Sequence, residues 1–211
     1  MLYAYRRPPG GIRTWSDRVA DDEIQFIAGV PATTPARTAL DLACRYPIDK
    51  AVAAIDALAR ATDLKVIDAE MLAERYRGRR GIRRAHSALP LVDSGAESPR
   101  ETWLRLVLIR AGFPAPQTQI SVYDGYGALV AVLDMGWQDL KLAVEYEGDH
   151  HRTDRRQFNR DLRRGEALAE LGWLDVRVTA EDTPGGVIAC VSEAWERRAC
   201  TGCEIPAGFS R

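Results

Sequence analysis

One short segment, residues 141–147, constrains the fold of this chain more than any other. It reads Lys-Leu-Ala-Val-Glu-Tyr-Glu, an alternation that is typical of a β-strand. Leu142 and Val144 are therefore expected on one face of the strand, and Glu145 and Glu147 on the other. In a sheet covered by helices, two unpaired carboxylates on one face are costly because of desolvation and mutual repulsion. The pair therefore predicts a bound cation or a shared proton.

A third carboxylate precedes this strand. Asp134 ends the apolar run Ala-Leu-Val-Ala-Val-Leu-Asp, and residues 135–139 predict a hairpin that returns the chain beside Glu145. Converging carboxylate oxygens favour Mg²⁺ or Mn²⁺, which would activate a water and neutralise charge on a phosphate. We therefore predict Asp134, Glu145 and Glu147 as metal ligands in phosphodiester hydrolysis. The alternative is a solvated acidic face on an edge strand.

The order of apolar stretches predicts an α/β fold for the C-terminal half. The predicted order is one helix, three strands, a helix, a strand and a final helix. This order favours a mixed sheet flanked by helices. The helices are expected at 99–110, 154–171 and 184–198, and the strands around Ile120 and at 128–133, 142–146 and 173–178.

A break at residues 92–99 divides the chain. Before it, Thr34 and Pro35 predict a helix start, and helical periodicity continues to residue 76. We expect a small, mainly helical module with short N-terminal strands over residues 1–92, an α/β domain over 93–198 and a tail over 199–211.

Several motifs in the second domain resemble a known nuclease family. They are Glu-Tyr-Glu-Gly-Asp-His-His at 145–151, Asp-Leu-Arg-Arg at 161–164, Leu-Gly-Trp at 171–173, and Arg177. Together with Asp134 they resemble the very short patch repair (Vsr)-like domains of the PD-(D/E)XK nuclease superfamily, over about residues 95–198.

This resemblance implies a restriction-endonuclease-like fold and a Mg²⁺- or Mn²⁺-dependent DNA endonuclease, and the sequence does not distinguish DNA from RNA as the substrate. It implies catalytic roles for Asp134, Glu145 and Glu147, for Glu101 on the preceding helix, and for His151 after the strand. Glu147 replaces the lysine of the wider superfamily, so the general base is open between Glu147 and His151. Glu101 alternatively completes a helix capping box.

Basic residues follow the acidic strand. We expect phosphate contacts from Arg152, Arg156, Arg160, Arg163 and Arg164. The alternative is that Arg164 pairs with Asp161 at i,i+3 spacing and merely stabilises the helix.

The N-terminal module has a second resemblance. Residues 29–43, Gly-Val-Pro-Ala-Thr-Thr-Pro-Ala-Arg-Thr-Ala-Leu-Asp-Leu-Ala, are similar to AbiEi-type antitoxin and regulator proteins, in which a helical domain follows a winged helix. The chain begins too late for a complete winged helix to be expected. This resemblance implies the alternative function: a non-cleaving regulator that keeps the nuclease fold and contacts DNA or a toxin.

Overall charge limits these functions. The net charge is -1 and the isoelectric point is about 6.3, so any nucleic-acid contact must come from a local basic patch. The sequence shows neither a signal peptide nor a membrane-spanning run, and we expect a cytoplasmic protein. A homodimer is expected if both strands of a duplex are cut.

Overall fold

The computed structural model describes residues 10–11, 13–148 and 155–200, with side chains from residue 162 onward in the last range. Its helices and strands, in chain order, are β1 (Ile24–Ile27), β2 (Val30–Thr33), α1 (Pro35–Arg45), α2 (Ile48–Ala61), α3 (Val66–Arg75), α4 (Ile82–Ala88), α5 (Pro99–Arg110), β3 (Gln117–Tyr123), β4 (Leu129–Trp137), β5 (Leu142–Tyr146), α6 (Arg155–Glu170), β6 (Leu174–Val178) and α7 (Pro184–Ala199). None of the described helices is long and apolar enough to cross a membrane.

The first four helices pack around a core rich in small residues. Helix α1 begins as predicted, with Thr34 Oγ1 accepting a hydrogen bond from the backbone N–H of Arg37 and Pro35 at the first helical position. Buried alanines allow close helix contacts, and Leu40 and Ile55 fill the centre. The short β1–β2 hairpin precedes this core.

The C-terminal half contains a four-stranded mixed sheet in the order β3-β4-β5-β6, flanked by helices. The first two neighbouring pairs are antiparallel and β5–β6 is parallel, with α6 forming the crossover. Leu142 and Val144 of β5 pack with α5 and α7, whereas Ala143 packs with Leu168 of α6. The predicted fold class is confirmed.

Helix α5 joins the two halves. Leu106 packs in the core of the N-terminal helices, whereas Leu104 and Leu108 pack against the sheet. The buried carboxylate of Asp56 on α2 accepts hydrogen bonds from Thr102 and Arg105 of α5, at 2.8 and 2.9 Å. The two cores therefore share one helix and one buried ion pair.

Strand β4 extends further than the sequence predicts. It runs three residues beyond Asp134 because Met135 and Trp137 are buried against α5 and α7. A Cβ at Gly136 would lie 2.2 Å from the carbonyl oxygen of Leu142, so only glycine allows this close approach of β4 to β5. Asp134 therefore lies within the strand, and the chain turns only at residues 138–140.

Candidate functional site

Two predicted acidic residues, Asp134 and Glu145, lie together where β4 and β5 separate. Gly136 is paired with Ala143, so Asp134, two residues earlier, and Glu145, two residues later, reach the same end of the ladder. The Oδ2 atom of Asp134 accepts a hydrogen bond of 2.8 Å from the backbone N–H of Tyr146. The register of the two strands thus brings together the pair that the sequence predicts.

Arg164 of α6 is directed into this pair. Its guanidinium donates to both carboxylate oxygens of Glu145, at 3.2 and 2.5 Å, and to the carbonyl oxygen of Val132 at 2.8 Å. Glu145 is 7% exposed, and a bidentate pair is the usual way to hold such a carboxylate. Arg164 is therefore the counterion of Glu145.

Sequence analysis missed a third acid, Asp175. It lies opposite Ala143 on the parallel strand β6, on the same face of the sheet as Glu145. Its Oδ2 atom pairs with Arg177 Nε at 3.0 Å, whereas its Oδ1 atom is buried with no hydrogen-bond partner among the described residues. The alternation Leu-Asp-Val-Arg-Val at 174–178 is the sequence signal that could have identified Asp175, because it places Asp175 and Arg177 on one face of the strand. The acidic cluster is therefore Asp134, Glu145 and Asp175.

Burial and repulsion raise the pKa values of two carboxyl groups in this cluster, Asp134 and Glu145. Burial, and to a smaller extent the charge of Glu101, raise the pKa of Asp134 to about 6 against the opposing effect of the hydrogen bond from Tyr146. Burial and the charge of Asp175 raise the pKa of Glu145 to about 7, and they outweigh the opposing effect of Arg164. One guanidinium thus does not compensate the buried negative charge.

The other two predicted acids lie at the margins. Glu101 is buried, and its carboxylate accepts a 2.7 Å hydrogen bond from the backbone N–H of Glu97, so it caps α5 as well as acting electrostatically on Asp134. Strand β5 ends at Tyr146, and Glu147 is exposed. The backbone N–H of Glu147 donates to the carbonyl oxygen of Val178 at 2.7 Å. Glu145 and Glu147 therefore do not share a buried face.

The predicted basic residues are only partly described. Arg163 is exposed on α6 and Arg164 is turned inward. Arg156 and Arg160 belong to the same helix, but their side chains lie outside the described residues, as do Arg152 and His151 entirely. The predicted roles of these four residues stay predictions.

The described side chains do not fit a divalent cation. Within the described residues, no three His, Cys, Asp or Glu side chains are grouped so as to hold a metal ion. Both oxygens of Glu145 face Arg164, and one oxygen of Asp134 faces a backbone N–H. In this arrangement the cluster accommodates the guanidinium of Arg164.

Comparison with known proteins connects the N-terminal half to a family. Residues 2–94 match the AbiEi antitoxin C-terminal domain, which confirms the resemblance of the N-terminal segment. The uncharacterized proteins Rv2248 and MT2308 of Mycobacterium tuberculosis are each 34% identical to the chain over 182 residues, a region that covers 85% of this chain and 67% of each relative.

No solved structure matches the chain. The resemblance of residues 95–198 to Vsr-like nucleases gains no support from the family match or from these relatives, and it stays a prediction. The chain therefore belongs to the same protein family as Rv2248 and MT2308, and its residues 2–94 match the AbiEi antitoxin C-terminal domain.

Proposed function

We propose that the protein is an antitoxin-like regulator that acts by binding DNA or a toxin rather than by cutting nucleic acid. The observation that carries this proposal is the match of residues 2–94 to the AbiEi antitoxin C-terminal domain. These residues include the compact core of helices α1–α4, so the match covers a folded unit and not only a short motif.

The acidic cluster supports binding over hydrolysis. A divalent cation at Glu145 would have to displace the guanidinium of Arg164, which contacts both carboxylate oxygens. Glu147, the further ligand expected from the sequence, is exposed beyond the end of β5. In this arrangement the cluster positions α6 against the sheet, and Arg164 already occupies both carboxylate oxygens of Glu145.

Helix α6 supplies the binding surface in this proposal. Arg163 is exposed on it, and Arg156 and Arg160 precede Arg163 at spacings of seven and three residues, which place the three on neighbouring faces of one helix. Since the chain as a whole is not basic, such a local stripe is what would attract a phosphate backbone or an acidic toxin surface.

A gel experiment tests this function. The full chain is incubated with labelled duplex DNA from upstream of its own gene, in EDTA, Mg²⁺ or Mn²⁺, and analysed on native and denaturing gels. We expect a mobility shift in all three buffers, intact strands, and a shift weakened by Arg163→Ala. Arg197→Ala is the matched control, because Arg197 is an exposed arginine on α7, remote in sequence and paired with Glu193. Metal-dependent strand cleavage that Asp134→Ala abolishes would overturn the proposal.

The second candidate function is a Mg²⁺- or Mn²⁺-dependent DNA endonuclease. The observation that favours it is the pair of buried carboxylates, Asp134 and Glu145, whose pKa values are raised to about 6 and about 7. Buried carboxylates with perturbed pKa values are concentrated at functional sites. Titration calorimetry with Mn²⁺ separates the candidates, since a nuclease requires binding that Asp134→Ala removes.

A further inference from the structure

A cleft at the carboxyl end of α1 lies outside the elements that form the acidic cluster. Its volume is about 770 Å³, within the range of roughly 300–1,000 Å³ that is usual for ligand-binding clefts. Three basic and two aromatic side chains contribute to its lining: Arg13, Arg45, Lys50, Trp15 and Tyr46. Neither proposed function above uses these residues.

An ion-pair network holds the segment that carries Trp15 in place. The carboxylate of Asp17 accepts a 2.9 Å hydrogen bond from Arg45 and also pairs with Arg37 and Arg79. Arg37 is fully buried and donates to the carbonyl oxygen of Arg18 at 3.0 Å. Because three guanidinium groups converge on Asp17, the preceding residues are fixed against α1. The cleft is therefore built beside an ion-pair network in which one member, Arg37, is fully buried.

The aromatic rings in the cleft are ordered but still accessible. The guanidinium carbon of Arg45 lies 4.6 Å from the centre of the Trp15 ring, and Lys50 Nζ lies 5.6 Å from the centre of the Tyr46 ring. These cation–π contacts restrict both rings. Trp15 nevertheless remains 51% exposed. An indole held on one side and open elsewhere is prepared to stack with a planar ligand.

The charges around the cleft favour an anion. Arg13 and Lys50 are exposed, and neither forms an ion pair with any carboxylate among the described residues. Pro47 is the N-cap of α2, so the positive end of that helix dipole faces the cleft. Asp49 in the first turn of α2 is paired with Arg110.

The negative end of α1 would oppose an anion at the same place. Arg84 covers it, donating to the carbonyl oxygens of Cys44 and Tyr46 at 3.4 and 3.1 Å. The positive end of α2, together with Arg13 and Lys50, therefore dominates the electrostatic potential in the cleft.

We propose that this cleft binds a nucleotide unit of single-stranded nucleic acid, with a base stacked on Trp15 and phosphates beside Arg13 and Lys50. Stacking on aromatic rings beside cations is how proteins hold unpaired bases. In a duplex the faces of the bases are stacked on one another, so Trp15 could not reach them. This inference does not rest on the proposed regulatory function, because it follows from the residues of the cleft alone.

Fluorescence anisotropy with the full chain in EDTA tests the proposal. The ligands are labelled decamers of deoxythymidine and of uridine, a duplex of equal length, and unlabelled thymidine monophosphate as competitor. We expect Trp15→Ala to weaken single-strand binding about 10-fold, the loss of one stacked base. Trp15→Phe should stay within about 3-fold of wild type, because it retains a ring. Lys50→Gln should lower the slope of log affinity against log salt by about 0.7, the value for one phosphate contact.

Two controls locate the site. Tyr126→Ala removes a still more exposed aromatic side chain from the β3–β4 turn and should leave the affinity unchanged. Arg197→Ala, which removes an exposed arginine on α7 that is paired with Glu193, should also have no effect on single-strand binding. Displacement of the decamers by thymidine monophosphate at similar concentrations would indicate that the cleft binds a free nucleotide through the same stacking and phosphate contacts.

Two results would overturn the proposal: no binding of either decamer or of the mononucleotide, or equal affinities of Trp15→Ala and Tyr126→Ala for the single strands. Thermal unfolding checks that each variant is folded. If Trp15→Ala does not fold, the milder variants test the proposal: Trp15→Phe through its single-strand affinity and Lys50→Gln through the salt dependence of binding.

Discussion

The carboxylate of Asp134 should destabilise the folded protein at neutral and alkaline pH, and Asp134→Asn should relieve this. Its pKa is raised from 3.8 to about 6, a difference of about two pH units that corresponds to about 3 kcal/mol. Water reaches part of this side chain, so we expect a gain of about 1–2 kcal/mol in the free energy of unfolding. Asparagine keeps an oxygen that accepts the hydrogen bond from the N–H of Tyr146.

The sign of the pH dependence follows from proton binding. Between about pH 4 and pH 6 the folded state of Asp134 binds more protons than the unfolded state, so stability falls as the pH rises through this window. At about pH 8 the carboxylate is ionised in both states and the full cost is present. At about pH 4 it is protonated when folded, and the variant and the wild type should differ little.

Urea unfolding at about pH 8 and about pH 4 measures this effect through the shift in midpoint. Asp139→Asn is the control, since Asp139 is exposed in the neighbouring turn and should change stability by less than about 0.5 kcal/mol. Lower stability of Asp134→Asn at pH 8, or a gain that is equal at both pH values, would refute the reasoning. Stabilisation of the wild type, but not of the variant, by Mn²⁺ would show that the carboxylate binds metal.

Three further changes probe the framework of the site. Asp56→Ala leaves a buried guanidinium without its counterion and should cost about 3–5 kcal/mol in urea unfolding, whereas Asp49→Ala, which breaks an exposed pair, should cost less than about 1 kcal/mol. Arg164→Ala should destabilise by about 1–2 kcal/mol at pH 8 and by less at pH 5, where its partner on β5 is protonated in any case; equal losses would contradict this. Gly136→Ala places a Cβ against the backbone of β5 and should cost about 1–3 kcal/mol, and an unchanged midpoint would show that the strands can separate.

Local signals made most of the fold predictable from sequence. Thr34 with Pro35, and Ser98 with Pro99, cap helices through contacts within one turn, so the residues that specify them are neighbours in sequence. The helix and strand order of the second half follows from apolar periodicity for the same reason. The structure confirms the mixed sheet flanked by helices that this order predicts.

The details of the acidic cluster depend on tertiary packing and were therefore harder to predict from the sequence. The extension of β4 beyond Asp134 depends on burial of Met135 and on the close approach at Gly136, which only the folded sheet defines. Glu147 is exposed because β5 ends at Tyr146, so the alternation that places Glu145 and Glu147 on one face does not extend to Glu147. Asp175 had a local signal, but its proximity to Glu145 requires the parallel pairing of β5 and β6.

Arg164 explains how the proposed regulator can hold buried acidic residues on β4 and β5. Once its guanidinium pairs with Glu145, Arg164 is not available to a phosphate backbone, so nucleic-acid contacts from α6 must come from Arg163 and from residues earlier in the helix. The same ion pair supplies a cation to the cluster, so Arg164 can hold the acids on β4 and β5 without a bound metal. Binding on the exposed face of α6 is therefore compatible with acids packed against its inward face, and the presence of these carboxylates alone does not imply cleavage.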